Sequence, residues 1–307
     1  GHLRDLEGLP AQHLSRDDVS FHALREYQPG ANVVVGGAVY TVGGLTMNWR
    51  KPADAETASA LQNLRWRLLC RECNEVTDSV VRPDACVACG QPVADGCRNR
   101  FEYIEPAGFL VPRGAQPNDD ISRPTYVPAE MPVFSVRNAE GNPVARRPLN
   151  NQRGWCRVGR SSQIHHHTFG QQKAGFTLCL ACGWASVGKV EPNKNGQYPH
   201  DEPFTGKRCK SGRDNPWAVK HLGALGATTR TDVLEYLIVP TADGMTLQDR
   251  TVATTLAVLL RNVAASRLNI EPRELGFAIQ KMIMRGQEGL AVLIYDAAPG
   301  GAGYVST

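Results

Sequence analysis

A length of 307 residues, 42% of them apolar, is enough for two or three modules that each bury a core. No run approaches the roughly 18 apolar residues that a membrane span requires, so a membrane-spanning protein is not expected. The net charge is only +4, but 26 of the 34 basic residues are arginines. This excess is compatible with nucleic-acid binding and equally with a genome whose codons favour arginine.

The N-terminus carries no basic segment followed by an apolar one, so no secretory signal peptide is predicted. The chain begins at Gly1 instead of an initiator methionine, and we expect it to be a fragment of a larger protein. Nine cysteines, most of them in Cys-x-x-Cys pairs, favour metal binding in a reducing cytoplasm over disulfide bonds.

The first 62 residues are predicted to contain a short helix over 17–26 and a β-meander over 32–45. The meander is indicated by β-branched runs that two Gly-Gly pairs interrupt. The first pair, Gly36-Gly37, is interpreted as a hairpin turn and not as a phosphate loop, because no Lys-Ser or Lys-Thr follows it.

Two Cys-x-x-Cys pairs, separated by twelve residues, follow a predicted strand over 64–69. Each pair places two sulfurs on one tight turn, and the spacing is typical of a zinc ribbon whose four thiolates complete the tetrahedron around Zn²⁺. A redox Cys-x-x-Cys motif is the alternative, but it needs a single pair ahead of a helix. The predicted ligands are Cys70, Cys73, Cys86 and Cys89, whereas Cys97 is expected to take no part.

The region 101–174 is rich in proline, and a proline cannot donate to the hydrogen-bond ladder of a sheet. We therefore expect extended loops here, packed on neighbouring modules. The run His165-His166-His167 is interpreted as part of a polar loop. In a strand these side chains would alternate between the two faces, so that at most two could meet at a catalytic metal.

A further Cys-x-x-Cys pair, Cys179 and Cys182, is followed by Cys209 beyond a polar loop. A closed zinc site needs a fourth ligand. His200, within that loop, is the first choice, and Cys156 and the run of three histidines are the alternatives. The sequence thus predicts two Zn²⁺ ions, the second held by Cys179, Cys182, His200 and Cys209.

From Thr231 onward the pattern is that of regular secondary structure. A buried strand is predicted over 233–239, a half-buried strand over 275–280, and a second buried strand over 289–295, the last as a central strand. A helix between the first two is predicted to start at a Thr246 cap and to bury one apolar face. That face comprises Val252, Leu256, Leu259, Leu260 and Val263. Together with the meander and the ribbons, this order predicts an α+β fold with a C-terminal mixed sheet.

The last predicted strand runs into a glycine-rich turn over 296–304. Such a turn, at the carboxyl end of a central strand, can bind a phosphate through its backbone amides. It carries no Lys or Arg, and we favour a structural interpretation in which glycine supplies positive φ and Asp296 caps the backbone that follows.

With these residues in place, the C-terminal part resembles a known family. Thr231-Asp232-Val233-Leu234, Glu274-Leu275-Gly276 and the glycine-rich turn resemble the MrfA-type zinc-binding domain at the C-terminus of certain DEAD/DEAH-box helicases. The knuckle over 175–183 fits the metal site of that family, and the segment 25–32 is similar to sequence just after its motor core. The family includes MrfA, DrmB of DISARM and DruE of Druantia. The resemblance is strong over 175–304 and loose before that.

We predict four segments, and the resemblance suggests where the motor lies. They are a helix and meander (1–62), a zinc ribbon (63–100), a proline-rich region (101–174) and the MrfA-type domain (175–307). No Gly-x-x-x-x-Gly-Lys-Ser/Thr and no Asp-Glu-x-His/Asp box occurs in the 307 residues. The ATP-hydrolysing motor is therefore expected elsewhere on the same protein or on a partner.

The resemblance implies a non-catalytic, zinc-binding accessory region of a superfamily-2 DNA helicase or translocase in phage defence or DNA repair. The expected partners are a helicase motor and DNA, but no membrane. We expect the arginine-bearing faces around Arg65, Arg67, Arg98 and Arg100 to contact the DNA backbone or to dock on the motor. Two alternatives stay open: a metal-dependent nuclease or phosphodiesterase that uses the three histidines or the Asp296 turn, and an architectural scaffold for a helicase subunit.

Overall fold

The structure is a computed structural model. It describes residues 23–24, 26–35, 37–48, 54–94, 96–97, 99–117, 130–150, 153–238, 247–284, 287–298 and 300–305. Several sequence predictions lie outside these residues: most of the helix over 17–26, Gly36 of the first Gly-Gly pair, Arg98, and the helix cap Thr246.

The described elements of the first half of the chain are short. They are β1 (Asn32–Val35), β2 (Ala38–Thr41), β3 (Gly44–Leu45), α1 (Ala55–Leu61), β4 (Arg65–Leu69), β5 (Val76–Ser79), β6 (Arg100–Ile104), β7 (Phe109–Leu110), β8 (Val133–Ser135) and β9 (Arg147–Pro148).

The second half contains the long elements. They are β10 (Gly154–Thr168), β11 (Phe176–Cys179), β12 (Ala185–Val187), α2 (Ser211–Asp214), β13 (Val219–Leu222), β14 (Ala224–Ile238), α3 (Arg250–Leu268), β15 (Leu275–Met284) and β16 (Gln287–Asp296). Single 3₁₀ turns lie at Gln171–Lys173, Pro216–Ala218 and Pro272–Glu274.

Nine of the described strands form one mixed sheet. The order β15-β16-β14-β6-β4-β5 forms its path, and β10 pairs with β14 while also pairing with β8 and β9. The two 15-residue strands β10 and β14 run antiparallel along their length, with a bulge between Gly159 and Ser162. The start of β14 is parallel to β6. This mixed sheet, with only a few helices beside it, confirms the predicted α+β class.

The smaller sheet β12-β11-β13 supports the second cysteine cluster. Leu178 on β11 and Leu222 on β13 are fully buried, and they pack in one apolar cluster with Leu45 and Leu180. The same cluster includes Leu225 at the start of β14. Burial of these leucines therefore joins the small sheet to the large one and removes apolar surface from water.

The proline-rich region is not irregular throughout, so that prediction is wrong for its second part. Residues 154–168 form β10, one of the two longest strands in the described chain. The last proline before it is Pro148, and none occurs between β9 and the end of β10. The polar composition of this stretch suggested a loop, but Arg157, Ser162 and the run 165–168 are buried within the strand. Strands from three of the four predicted segments share the large sheet, and the four-segment division itself stays a prediction.

Helix α3 exists where it was predicted, but it buries a different face. Ala253, Ala257 and Ala265 are its buried residues, whereas Val252, Leu259 and Val263 are exposed. Leu256 and Leu260 of the predicted face are partly buried against the sheet. Small alanine side chains let the helix axis approach β15 and β16 closely, which large side chains would prevent.

The start of α3 also differs from the prediction. Asp249 is the N-cap, because its Oδ1 accepts hydrogen bonds from the backbone N–H groups of Thr251 (2.7 Å) and Val252 (3.0 Å). The helix ends at Asn269, which adopts the left-handed conformation at φ 54°. No described helix combines the length and the apolar character needed to cross a membrane.

The predicted C-terminal strands are confirmed. The strand predicted over 233–239 corresponds, up to Ile238, to the second half of β14, and residue 239 lies outside the described residues; the strand over 275–280 is part of β15, and the strand over 289–295 is most of β16. β16 lies between β15 and β14, an interior position in the sheet. In the predicted meander, β1 and β2 form a hairpin, while β3 pairs with β7.

Candidate metal centres

The first cluster lies at the ends of β4 and β5. Cys70 follows β4 directly, and its N–H donates to the carbonyl of Glu75 (3.1 Å), which closes the first knuckle. In the second knuckle the N–H of Gly90 donates to the carbonyl of Cys86 (2.9 Å), and Gly90 has a φ of 74° that favours glycine. Each Cys-x-x-Cys pair thus forms one tight turn, and the two turns face each other.

The four sulfurs of this cluster have the separations of a tetrahedral site. The four Sγ atoms lie within 4.8 Å of one another, with 3.6 Å from Cys70 to Cys89 and 3.6 Å from Cys73 to Cys86. Zinc–sulfur bonds of about 2.3 Å place the corners of a tetrahedron about 3.8 Å apart. The donor set and its size therefore fit Zn²⁺.

Proton affinities in the first cluster are uneven. Burial alone raises the pKa of the Cys86 thiol, but N–H groups of Cys89 and Ala88 and the thiols of Cys73 and Cys89 hold it at about 7. Burial raises the pKa of Cys73. Backbone amides that point at a sulfur stabilise a thiolate, which is the form that binds a metal.

The second cluster is built from the end of β11 and the loop before α2. It brings Cys179 and Cys182 together with Cys209 and His200, with one ligand atom from each residue and all of them within 4.8 Å. The Sγ of Cys182 lies 3.3 Å from Nε2 of His200. A tetrahedron with one nitrogen and three sulfurs has a nitrogen–sulfur edge of about 3.6 Å, so this donor set also fits Zn²⁺.

His200 is held in the orientation that a ligand needs. Its Nδ1 lies 2.7 Å from the carbonyl oxygen of Tyr198, so Nδ1 carries the proton and Nε2 faces the sulfurs. The indole of Trp184 stacks on the imidazole with 4.5 Å between ring centroids and 16° between planes. A Cβ on Gly212 would lie 2.6 Å from Cε1 of His200, so this glycine makes room for the ring.

Electrostatics in the second cluster follow from the same contacts. Burial lowers the pKa of His200, but hydrogen bonds with the sulfurs of Cys179 and Cys209 outweigh it and raise this pKa to about 10. Hydrogen bonds from Cys179 and Cys182 lower the pKa of Cys209. Without a metal, this set holds a buried thiolate beside a protonated imidazole. A divalent cation would balance the charge of the thiolates instead.

The two clusters differ in burial. In the second, Cys179, His200 and Cys209 are buried, and a Cβ on Gly183 would lie 2.1 Å from the carbonyl oxygen of Leu45. In the first, Cys89 is exposed. The second cluster is therefore set within the core of the small sheet, whereas the first, in which Cys70 and Cys86 are buried, reaches the surface at Cys89.

The alternatives considered for the fourth ligand lie elsewhere. Cys156 and the three histidines belong to β10, and in the part of the chain that the structure describes only the two cysteine clusters gather three or more potential ligands. The interpretation of the histidines as a polar loop is wrong, because they are buried in a strand. His167 packs between Phe101 and Phe169, at centroid distances of 5.7 and 5.0 Å.

The burial of these histidines changes their protonation. Burial, with a smaller contribution from the charge of Arg67, lowers the pKa of His167 to about 4. The same two causes place the pKa of His165 well below its ordinary value. Both rings are therefore neutral at physiological pH, and no described residue offers a hydrogen-bond partner to Nε2 of His165.

The glycine-rich turn is organised by its own aspartate. One carboxylate oxygen of Asp296 accepts from the N–H groups of Ala302 (2.7 Å) and Tyr304 (3.1 Å), and the other from Val305 (3.1 Å). Asp296 is 1% exposed. The amides that a phosphate would use already bind this carboxylate, which agrees with the structural interpretation of the turn.

The arginines expected to contact DNA are instead mostly internal. Arg67 is fully buried and donates to Asp78 (3.1 Å) and to the hydroxyl of Tyr103 (2.7 Å). Arg100 is buried beside Pro83, and Arg65 forms an ion pair with Asp78. β5 and β6 flank β4 in the sheet, so Asp78 and Tyr103 lie on the strands next to Arg67. That prediction is wrong for Arg67 and Arg100, and no spacing signal marked Asp78 or Tyr103 as their partners.

Comparisons with known proteins complete the description. No protein-family model matches the chain. The Druantia protein DruE of Escherichia coli (strain UMEA 4076-1) is 26% identical over an alignment of 312 positions. The alignment covers 92% of this chain and 16% of DruE. The chain resembles a segment of DruE. This similarity confirms the resemblance that the sequence motifs indicated.

DruE is much longer than the segment it shares with this chain, since the shared part is 16% of its length. Among solved structures, the DUF1998 helicase MrfA bound to DNA matches with a TM-score of 0.37 and 9% sequence identity. That match covers 94% of this chain and 24% of the MrfA chain.

Proposed function

We propose that this chain is a non-catalytic, zinc-binding accessory region of a superfamily-2 DNA helicase or translocase that acts in phage defence or DNA repair. The observation that carries the proposal is the similarity to DruE over 92% of the chain. The resemblance of the motifs to the MrfA-type domain supports it, because that domain occurs at the C-terminus of certain DEAD/DEAH-box helicases. The two cysteine-rich clusters support the zinc-binding part.

Zinc is the metal that the donor sets favour. Four thiolates, or three thiolates and an imidazole, are soft ligand sets, and both clusters have tetrahedral dimensions. Bound Zn²⁺ would supply four bonds that hold loops in place and no open coordination position. Cys70, Cys73, Cys86 and Cys89 would tie the two knuckles of the surface ribbon. The second set would join β11 to the loop before α2. A reducing cytoplasm fits thiolate ligands.

The helicase motor and DNA are the proposed partners. The 307 residues contain neither a Walker A sequence nor a DEAD or DEAH box, so the motor would lie on another part of the same protein or on a separate subunit. A net charge of +4, with arginine as the main basic residue, fits contact with a phosphate backbone. The role of this chain would be to position DNA or a partner surface for the motor.

The test uses the purified 307-residue chain. Elemental analysis should find about two zinc ions per chain, and incubation with ATP and DNA should give no phosphate release. Fluorescence anisotropy with labelled single- and double-stranded DNA should show binding that weakens as salt increases.

Four outcomes of these experiments would contradict parts of the proposal. One zinc ion or none would contradict the metal-binding part, and ATP turnover by the pure chain would contradict the accessory role. DNA cleavage in the presence of added divalent metals would favour a nuclease instead. Binding to a helicase subunit, with no binding to any DNA, would favour an architectural scaffold.

A further inference from the structure

A cleft of about 550 Å³ lies at the carboxyl end of β16, outside both cysteine clusters. Strands β10, β14, β15 and β16, the first turns of α3 and the residues before β8 all line it. Its volume falls within the range of ligand-binding pockets, roughly 300 to 1,000 Å³. The lining residues that carry the argument are His166, Arg230, Arg250, Thr254, Phe277 and Tyr295.

The charge of the cleft is positive. Arg230 and Arg250 line it and are exposed, and no described carboxylate pairs with either guanidinium. Arg250 reaches Met131, another lining residue, with 2.6 Å between Nη2 and Sδ. The acidic residue among the described lining residues is Asp296, and its carboxylate oxygens already accept three backbone N–H groups. The two arginines are therefore available to an anion from solution.

An aromatic ring, that of Tyr295, also lines the cleft. The ring of Tyr295 lies over Gly276, where a Cβ would come within 2.2 Å of its Cζ, so the absence of a side chain at 276 makes room for the ring. Burial raises the pKa of the Tyr295 hydroxyl, so that it stays protonated. The register pairs Tyr295 with Gly276, so its ring lies on the β8 side of the sheet, beside Phe134. Phe277 also lines the cleft but on the opposite face of β15, where it packs toward α3, and His166 adds an imidazole.

Exposed guanidinium groups beside aromatic rings recognise a specific ligand chemistry. Arginine binds phosphate bidentately, and aromatic side chains stack on bases whatever their sequence. We propose that this cleft binds a nucleotide unit of single-stranded DNA, with the phosphate on Arg230 and Arg250 and the base against the ring of Tyr295. The inference rests on the DNA-binding part of the proposed function and assigns residues to it. A free nucleotide offers the same chemistry, so the test separates the two sources.

The experiment compares the 307-residue chain with the double variant Arg230→Gln/Arg250→Gln. Binding of a fluorescein-labelled 12-nucleotide oligo-dT is followed by anisotropy between 25 and 200 mM NaCl. The variant should bind about tenfold more weakly at the lowest salt. Its plot of log affinity against log salt should become shallower by about 0.7 for each phosphate contact removed. Arg230→Lys/Arg250→Lys should recover the salt slope but only part of the affinity, because lysine lacks the bidentate fork.

The matched control is Arg213→Gln/Arg267→Gln, which removes the same charge from two exposed arginines that do not line the cleft. It should bind oligo-dT within about twofold of the unchanged chain. Zinc content, measured on every variant, reports whether the fold is intact.

A competition with dTMP separates strand from free nucleotide. For a strand-binding cleft, millimolar dTMP should displace little oligo-dT; tight dTMP binding that the glutamine variant loses would reassign the cleft to free nucleotides. Equal affinity and slope for the glutamine variant and the unchanged chain would overturn the cleft proposal while DNA binding stands. No DNA or dTMP binding by the unchanged chain would overturn both.

Discussion

Arg157 and Glu235 face each other across β10 and β14 and form a buried, two-pronged ion pair. Nη2 and Nε of Arg157 lie 2.7 and 2.9 Å from the two carboxylate oxygens of Glu235, and both side chains are at most 6% exposed. Arg146 also donates to Glu235 (2.7 Å), and Glu75, beside the first cysteine knuckle, contacts Arg157 at 3.5 Å. This network joins the ribbon to the centre of the large sheet.

Removal of one partner from this pair should be costly. Glu235→Leu leaves the buried guanidinium of Arg157 and the partly buried one of Arg146 without this carboxylate, and we expect the free energy of unfolding to fall by about 3–5 kcal/mol. Urea denaturation followed by circular dichroism measures it. Asp214→Asn, which breaks the exposed pair between Arg213 and Asp214, should leave the urea midpoint unchanged. Equal midpoints for the two variants would contradict a stabilising role for the buried network.

The buried cysteine cluster should matter more to stability than the surface cluster. Cys209→Ser is expected to lose about one of two zinc ions and to lower the melting temperature by several degrees, because the cluster holds the core of the small sheet. Cys89→Ser should also lose one zinc ion but lower the melting temperature less, since Cys89 is exposed.

Cys97→Ser is the matched control, because Cys97 lies in neither cluster. Zinc content by elemental analysis and melting by calorimetry are measured on the same samples. A zinc content unchanged by Cys209→Ser would remove this residue from the ligand set.

The buried histidines should make the fold sensitive to acid. The pKa of His167 is about 4 in the folded chain, compared with the ordinary value of 6.5 that applies to the unfolded chain. Above pH 6.5 both states are neutral, and between pH 6.5 and 4 only the unfolded state gains the proton. Stability should therefore fall as pH decreases across that range, by about 3 kcal/mol in total.

The variant His167→Phe isolates this effect, because a phenyl ring can replace the imidazole between Phe101 and Phe169. Urea midpoints from pH 7.5 to 4.5 should decline less steeply in the variant. The comparison is needed because acid also displaces metal from thiolates. Parallel curves would show that His167 is not the titrating group.

The face of α3 that packs on the sheet can be located by substitution. Ala257→Leu should lower the free energy of unfolding by about 1–3 kcal/mol, because Ala257 is fully buried and no space remains for a larger side chain. Leu259→Gln should change it by less than about 0.5 kcal/mol, because Leu259 is 56% exposed. The opposite ranking in chemical denaturation would restore the face that the sequence pattern predicted.

The parts of the fold that follow from neighbouring residues were predictable. Cys-x-x-Cys knuckles are local turns, and β16 is a continuous apolar run, so both appear directly in the sequence. The choice of His200 as the fourth member of the second cluster used only its place in the loop. The structure agrees with the placement of these residues; their role as zinc ligands stays a prediction.

The parts that depend on distant partners were not predictable. β10 is polar, and a buried side chain such as Arg157 is accommodated because its partners Glu235 and Glu75 come from distant parts of the chain. Arg67 was taken for a surface residue since its partners, Asp78 and Tyr103, have no fixed spacing from it. For α3, side-chain size was a poor guide: Val252, Leu259 and Val263 face solvent, while the small side chains of the buried alanines allow the closest packing.

Asp296 gives the glycine-rich turn its own internal counter-ion. Three backbone N–H groups donate to one carboxylate of the same chain, so none of these three donors needs a bound ligand. Its geometry should then be insensitive to phosphate and to ionic strength. The single change Asp296→Gly would remove this carboxylate and leave the three N–H groups free to bind an inorganic anion.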